Sequence, residues 1–332
     1  MGKEILIFND EVEKVIGKHE AKIDIPVLLI FFNRAEKISQ VFEQVKKARP
    51  TRLYLYQDGA REGREDDTKN VELCRQAVSD INWNCEVHRL YQQKNYGCDP
   101  SEFIAQKWMF NTEEMGIVLE DDDVPSQSLF PFFKELLERY KDDTRIAIIC
   151  GMNNFDVTEN VEESYFFSKR GAIWGWASWK RFIDLWDGDY SWCDDEEKCS
   201  IIEKYCDYDI SFDSYIKNVT RQRATGREFY ESIMFAAAAL NNMLNIVPKY
   251  NMISNIGIDK ETTHSVSDIR LLPKRIQKLM YKKTYEIEFP LIHPTKVERN
   301  HEFDKKYIIS KPQHIWDRME SCVRKIIYKK GK

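Results

Sequence analysis

The chain has 332 residues, enough for one large domain or two ordinary ones with a sizeable core. Its 42% hydrophobic and 32% charged residues give the balance of a soluble globular protein, and 50 basic against 55 acidic side chains leave a formal charge of −5. This excludes a global basic field for nucleic acid, and no stretch is apolar enough to span a bilayer.

Residues 1–24 are mixed and polar and read as a helix or a loose arm. The opening MGKEILIFNDEVEK lacks an apolar run, so it is not a signal peptide. Ile25-Pro26-Val27-Leu28-Leu29-Ile30-Phe31-Phe32 is a continuous apolar run, as expected of a parallel strand covered on both faces. Asn33-Arg34 stop it. Residues 35–48 read as a helix with Ile38, Val41, Phe42 and Val45 on one face. Leu53–Tyr56 is a second strand, closed by Asp58-Gly59. A polar helix follows near 65–80, a third strand at Cys85–Leu90 and a helix at 100–114. Gly116–Leu119 is a fourth strand, and it runs straight into Glu120-Asp121-Asp122-Asp123.

Beyond the acids, Leu129–Tyr140 reads as a helix and Ile146–Gly151 as a strand. Gly171 to Trp179 packs three Trp and two Gly into nine residues. Residues 184–214 read as loop with short helices. Phe229–Asn241 is an apolar helix and Asn245–Pro248 a short strand. The chain turns basic after Ser265. Eight cysteines (Cys74, Cys85, Cys98, Cys150, Cys193, Cys199, Cys206 and Cys322) form no CxxC pair, so a zinc site is not expected. Small buried hydrophobes, reduced in a cytoplasmic setting, are the simplest reading of them.

Strands alternating with helices imply an α/β fold with a parallel sheet and right-handed crossovers. Ligands then bind beyond the carboxyl ends of the strands. Neither GxGxxG nor GxxxxGK[ST] is present, so no Gly-rich phosphate cradle is expected. Four adjacent acids repel one another, and a divalent cation relieves that repulsion. Hard Mg²⁺ or Mn²⁺ prefers carboxylate oxygen and keeps positions open for phosphate. The competing reading is a solvated acidic turn.

Together, IPVLLIFFNR, LYLYQDG, KNYG and IVLEDDDVPS resemble, in order and spacing, the nucleotide-binding half of GT-A fold glycosyltransferases. The order is similar to that of eukaryotic N-acetylglucosaminyltransferase I. WGWASWKR, LNIVPKYNMISNIG and ETTH resemble a group of related bacterial proteins more closely. The resemblance covers about residues 25–265. It implies an N-terminal arm (1–24), a GT-A catalytic domain (25–265, with a nucleotide-binding half 25–125 and an acceptor half 126–265) and a basic C-terminal extension (266–332). The expected sheet is mixed and mainly parallel, flanked by helices.

The implied activity is transfer of a hexosyl or N-acetylhexosaminyl group from a nucleoside diphosphate sugar, UDP-linked, with Mn²⁺ or Mg²⁺. The implied acceptor is a hydroxyl of a glycan or lipid-linked acceptor in bacterial surface polysaccharide synthesis, with inversion at the anomeric carbon. Asn33, Arg34 and Lys94 fall in the donor-binding set. Asp58 matches the acid that hydrogen-bonds uracil, or is a plain Asp-Gly turn. Asp122 matches the direct metal ligand, with Glu120 and Asp121 toward sugar and ribose. Asp123 leaves a second register open, in which Asp121 and Asp123 form the DxD pair. His264 matches a late His on the metal or diphosphate. Trp174, Gly175 and Trp176 match a sugar-side loop, or form a buried aromatic corner. Lys180 and Arg181 after it meet phosphate or open a helix. The base is expected as Glu231, with Glu228 as the fallback.

Two rivals remain open at this level. One is a sugar nucleotidyltransferase, which would normally show a Gly-rich basic loop where Asn33-Arg34-Ala35-Glu36 stands. The other is a non-catalytic carbohydrate-binding or scaffold protein on a degenerate transferase fold. The C-terminal tail interleaves Trp316, Val323, Ile326 and Ile327 with Arg318, Arg324, Lys325, Lys329 and Lys330. A basic amphipathic helix of this kind suits peripheral contact with the inner face of a membrane. A solvated helix packed on the domain is the competing reading.

Overall fold

The apolar run after residue 22 forms the strand β2 (Ile23–Phe31) because both of its faces are covered. Successive side chains enter different cores: Val27, Leu29 and Phe31 one, Leu28 and Ile30 the other. The structure is a computed structural model that describes residues 8–207, 212–258, 268–310 and 314–329.

The other strands are β1 (Glu11–Val15), β3 (Pro50–Gln57), β4 (Cys85–Tyr91), β5 (Met115–Glu120), β6 (Asp123–Pro125), β7 (Ile146–Cys150), β8 (Tyr165–Ser168), β9 (Trp176–Trp179), β10 (Leu244–Pro248) and β11 (Ile253–Asn255). A nine-stranded sheet has the order β1-β4-β3-β2-β5-β9-β7-β10-β8, and β6 pairs separately with β11. β4, β3, β2 and β5 are mutually parallel. β9 is antiparallel to both β5 and β7, and β10 is parallel to β7. The edge strands β1 and β8 are antiparallel to their neighbours. The sheet is therefore mixed but mainly parallel. Helices Ala35–Ala48, Glu65–Ala77 and Leu129–Arg139 fill one face. Helices Cys98–Thr112, Glu196–Cys206 and Tyr230–Leu240 fill the other. This is the Rossmann-like α/β architecture that the alternating pattern implies.

Two segments differ from expectation. Glu11–Val15 is a sheet strand and not a helix or loose arm, with Glu13 paired to Arg89 at 2.8 Å. An edge strand with exposed faces needs no apolar pattern, so its sequence hides it. The second half of the Trp-rich segment is β9, inserted in the middle of the sheet and buried along its whole length. An antiparallel strand of four residues is too short to announce itself by periodicity.

Residues beyond 265 pack on the same cores. Ile287 and Leu291 enter the first and Phe303 the second. Asp304 is fully buried and accepts hydrogen bonds from Ser168 Oγ and Arg299 Nε.

Candidate active site

The carboxyl ends of the parallel strands position the site. β5 ends at Glu120, in register with Ile30 of β2. A tight turn through Asp121 and Asp122 leads into β6, which opens with Asp123 opposite Asn255 of β11. Asp121, Asp122 and Asp123 are all buried.

Arg34, just past β2, is drawn into this turn. Its Nη2 donates to Asp121 Oδ1, its Nε to Asp121 Oδ2 at 3.1 Å, and its Nη2 lies 2.8 Å from Asp122 Oδ2. Burial works against the guanidinium charge, but the two aspartates outweigh it and raise its pKa. Asn255 Nδ2 donates to Asp122 Oδ1 at 2.9 Å and to Asp123 Oδ1 at 3.2 Å. Gly175 donates its N–H to Asp123 Oδ2 at 2.8 Å. Gly257 lets the chain pass beside Asp122: a Cβ there would lie 2.2 Å from Asp122 Oδ2.

A further acid joins the cluster. Glu102, on the helix Cys98–Thr112, is 5% exposed and feels the charges of Asp121, Asp123 and Asp122. Burial, then the neighbouring acids, holds Glu102 and Glu120 well above the usual carboxylate range. Asp123 is raised well above it by burial and by Asp122. Tyr230 OH donates to Glu120 Oε1 at 3.4 Å, and burial raises the Tyr230 pKa.

Five clustered acids, four of them buried, thus face one guanidinium. The surplus must be met by protonation or by a cation. The donors are all carboxylate oxygens, the chemistry that Mg²⁺ and Mn²⁺ prefer. Among the described residues no group of three His, Cys, Asp or Glu side chains is disposed to hold a metal ion by itself. Mg²⁺ sites commonly use one or two carboxylates completed by substrate phosphate, and this cluster fits that type.

A cavity of about 890 Å³ is lined in part by Trp174 and Glu231, and none of the five clustered acids lines it. Two of its lining residues, Trp174 and Glu231, are each next in sequence to a residue that touches the acids, Gly175 and Tyr230. Glu231 sits in the first turn of the helix Tyr230–Leu240. Glu228 does not line the cavity; it lies against Gly188, whose notional Cβ would be 3.5 Å from Glu228 Cγ.

The remaining expected site residues are distributed unevenly. Asp58 is committed to its loop: Oδ1 accepts from Gly59 N and Tyr96 N, and Oδ2 from Asn95 Nδ2 and Gly97 N, at 2.9–3.0 Å. It therefore ties the end of β3 to the segment containing Lys94. Lys94 is exposed, its Nζ 5.6 Å from the Tyr96 ring centre. Asn33 Nδ2 donates to Asp67 Oδ1 at 2.8 Å. Trp176 is 1% exposed and packs toward Trp186. Lys180 and Arg181 open the helix Lys180–Ile183. Lys180 pairs with Asp184 at 2.9 Å, and Arg181 donates to the carbonyls of Tyr140, Lys141, Asp143 and Ile146. His264 lies outside the described residues.

Three residues at the site escape sequence reasoning. Glu102 carries a signal: it shares a helix face with Ala105 and Met109, where an apolar residue belongs. Asn255 and Tyr230 carry none, because a polar strand residue and an aromatic helix start are ordinary.

No protein-family model matches the chain, and no curated protein matches it. Among solved structures it is similar to the glycosyltransferase GlyE of Streptococcus pneumoniae TIGR4, at 8% identity and a TM-score of 0.28. That match covers 60% of this chain and 43% of the other, so the chain spans under half of that protein's length. It is also similar to a Bacillus anthracis protein assigned as a glucose-1-phosphate thymidylyltransferase, solved in complex with a sucrose. There the identity is 9%, the TM-score 0.29, and the cover 67% of this chain and 96% of the other. Likeness at this level carries no functional argument. The site is read from its own geometry.

Proposed function

We propose that this chain is a glycosyltransferase using a nucleoside diphosphate sugar, UDP-linked, and a divalent cation. The observation that carries the reading is the cluster of five acids, four of them buried, gathered around Arg34 at the carboxyl end of β5. A binding site built from acids suits a phosphorylated ligand only when a cation mediates.

Asp122 is the residue to hold Mn²⁺ or Mg²⁺, with Asp123 or Asp121 as second donor, and a divalent cation there supplies positive charge against a departing diphosphate. Arg34 orients Asp121 and Asp122 through its hydrogen bond and ion pair to them. Glu231 takes the proton of the acceptor hydroxyl as its oxygen bonds to the anomeric carbon. The bond from that carbon to the donor phosphate breaks, and the nucleoside diphosphate leaves with the electron pair. Attack from the face opposite the leaving group inverts the centre. Glu228 is the base only if the acceptor enters outside the cavity. Trp174 offers a partly exposed ring in the cavity wall for a sugar face. His264 is a further candidate for the diphosphate.

The acceptor is a glycan or lipid-linked hydroxyl in bacterial surface polysaccharide assembly. Among the described residues no helix is long and apolar enough to cross a membrane. The helix His314–Lys329 leaves Met319, Val323 and Ile327 exposed at four-residue spacing, which suits peripheral contact with an anionic lipid surface.

Thermal denaturation with UDP-sugars, with and without Mn²⁺, tests the reading, because a ligand of the native state raises Tm by mass action. A rise that needs sugar nucleotide and Mn²⁺ together, and that Asp122→Asn abolishes, is the expected result. Stabilisation by a nucleoside triphosphate and a sugar 1-phosphate instead would establish the nucleotidyltransferase. No response to any of these ligands would leave the non-catalytic scaffold.

A further inference from the structure

The charge of the cavity is opposite to that of the chain. The protein carries −5 overall, yet among the described residues the cavity wall holds Lys169, Arg170, Lys217 and Arg221 against one acid, Glu231. Two of these cations are accounted for locally. Lys169 pairs with Asp207 at 3.1 Å, and Arg170 is buried with Nη2 donating to the Cys206 carbonyl at 2.9 Å.

Lys217 and Arg221 are different. They stand one turn apart on the helix Phe212–Arg223, so both side chains point to the same side of it. Both are exposed, and among the described residues neither has an acidic partner. Arg221 donates to the neutral side chain of Asn218, at 2.7 Å. Two like charges at i and i+4 destabilise a helix slightly, so the pair has no evident benefit to folding. Trp174 and Tyr215 add aromatic surface to the same wall, which suits the apolar faces of a sugar ring. The volume lies within the range of small-molecule sites.

We propose that the acceptor is an anionic saccharide, bearing a carboxylate or a phosphate that Lys217 and Arg221 engage while its ring lies along Trp174. This rests on the glycosyltransferase reading for the word acceptor, but the binding it requires does not. A charge-assisted hydrogen bond to each cation would fix the saccharide's orientation. Glu231, the one acid among the described residues of the wall, then meets a hydroxyl and not the anionic group, which it would repel. The substrate's negative charge and the position of the base thus act together to select which oxygen is presented.

The test is equilibrium binding to the full chain, without donor, by isothermal calorimetry. Three probes are used: a glucuronate-containing disaccharide, a hexose 6-phosphate and neutral maltose. The expected result is that at least one anionic probe binds about tenfold or more tightly than maltose, and that its affinity falls as NaCl rises. The probe that binds tighter identifies carboxylate or phosphate as the group. Lys217→Glu with Arg221→Glu should remove that preference without lowering Tm, since both side chains are exposed. Equal binding of charged and neutral probes overturns the proposal, as does an anion preference that survives the double charge reversal. The two readings fail separately. Anionic saccharides binding to a protein that responds to no sugar nucleotide sinks the glycosyltransferase. Donor-dependent transfer to neutral and anionic acceptors at equal rates sinks only the acceptor class.

Discussion

Gly175 donates its backbone N–H to Asp123 Oδ2 at 2.8 Å, which joins the Trp-rich segment to the acid cluster across 52 residues of sequence. The bond fixes both partners: a fully buried carboxylate gains a donor, and the chain is held as it enters β9. Gly175 has φ +58, and a Cβ there would lie 2.3 Å from Ile253 Cδ1. Its conformation and its surroundings both require glycine.

Gly175→Ala is therefore expected to cost roughly 1–3 kcal/mol and to lower Tm by several degrees. Gly63→Ala is the control. Gly63 has φ +72 but nothing within 4 Å of a notional Cβ, so it isolates backbone strain from collision. Thermal unfolding of both variants checks the difference, and equal shifts would contradict the packing seen around Ile253.

Among the described residues Arg34 is the cation paired with the clustered acids. Arg34→Met should destabilise the protein by roughly 3–5 kcal/mol in metal-free buffer at neutral pH, as removal of one partner from a buried ion pair does. Adding Asp121→Asn should recover part of that loss, because the second substitution removes a charge left without its partner. Urea denaturation of the two single variants and the double gives the coupling. Additive losses would mean that the Arg34–Asp121 contact is not what orders the turn.

Asp67 is fully buried, and its hydrogen bonds from Arg61, at 2.5 and 2.8 Å, hold its pKa below the ordinary value of 3.8. A depressed folded pKa means that the unfolded chain takes up this proton first as pH falls. The contribution is fully present above about 3.8 and is lost as pH drops below it through the folded pKa. In Arg61→Met the acid limb of the stability curve below pH 4 should flatten by the part due to this group. Chemical denaturation from pH 3 to pH 6 measures it, and an unchanged limb would show that Arg61 does not set the Asp67 titration.

Truncation after residue 265 would strip Ile287, Leu291 and Phe303 from the two cores and leave Ser168 without Asp304. Each apolar side chain contributes about 1.5–3 kcal/mol by burial. The shortened chain is expected to be insoluble or to lack a cooperative transition. A stable, cooperatively folding 1–265 fragment would mean that the last 67 residues (332 − 265) are an independent appendage.

Much of the central sheet is legible in the sequence for a physical reason. A strand covered on both faces must be apolar throughout, so the segments that became β2, β5 and β7 announce themselves, and so does the placing of the acids at the end of β5. The edge strand β1 and the four-residue β9 do not, because β1 has exposed faces and pairs with a distant strand, and β9 is too short to show a period. The acids were visible as a run. Their partners were decided only by the tertiary fold: Arg34 turning onto Asp121, Asn255 arriving from β11, Glu102 from a helix on the other side of β5 and Gly175 from the entry to β9. Composition could show that Trp174 and Trp176 are neighbours in a ring-rich segment. Only the packing could assign Trp176 to the core and Trp174 to the cavity wall, because Trp176 opens β9 in the middle of the sheet while Trp174 precedes it across Gly175, and burial depends on what the rest of the chain brings to each.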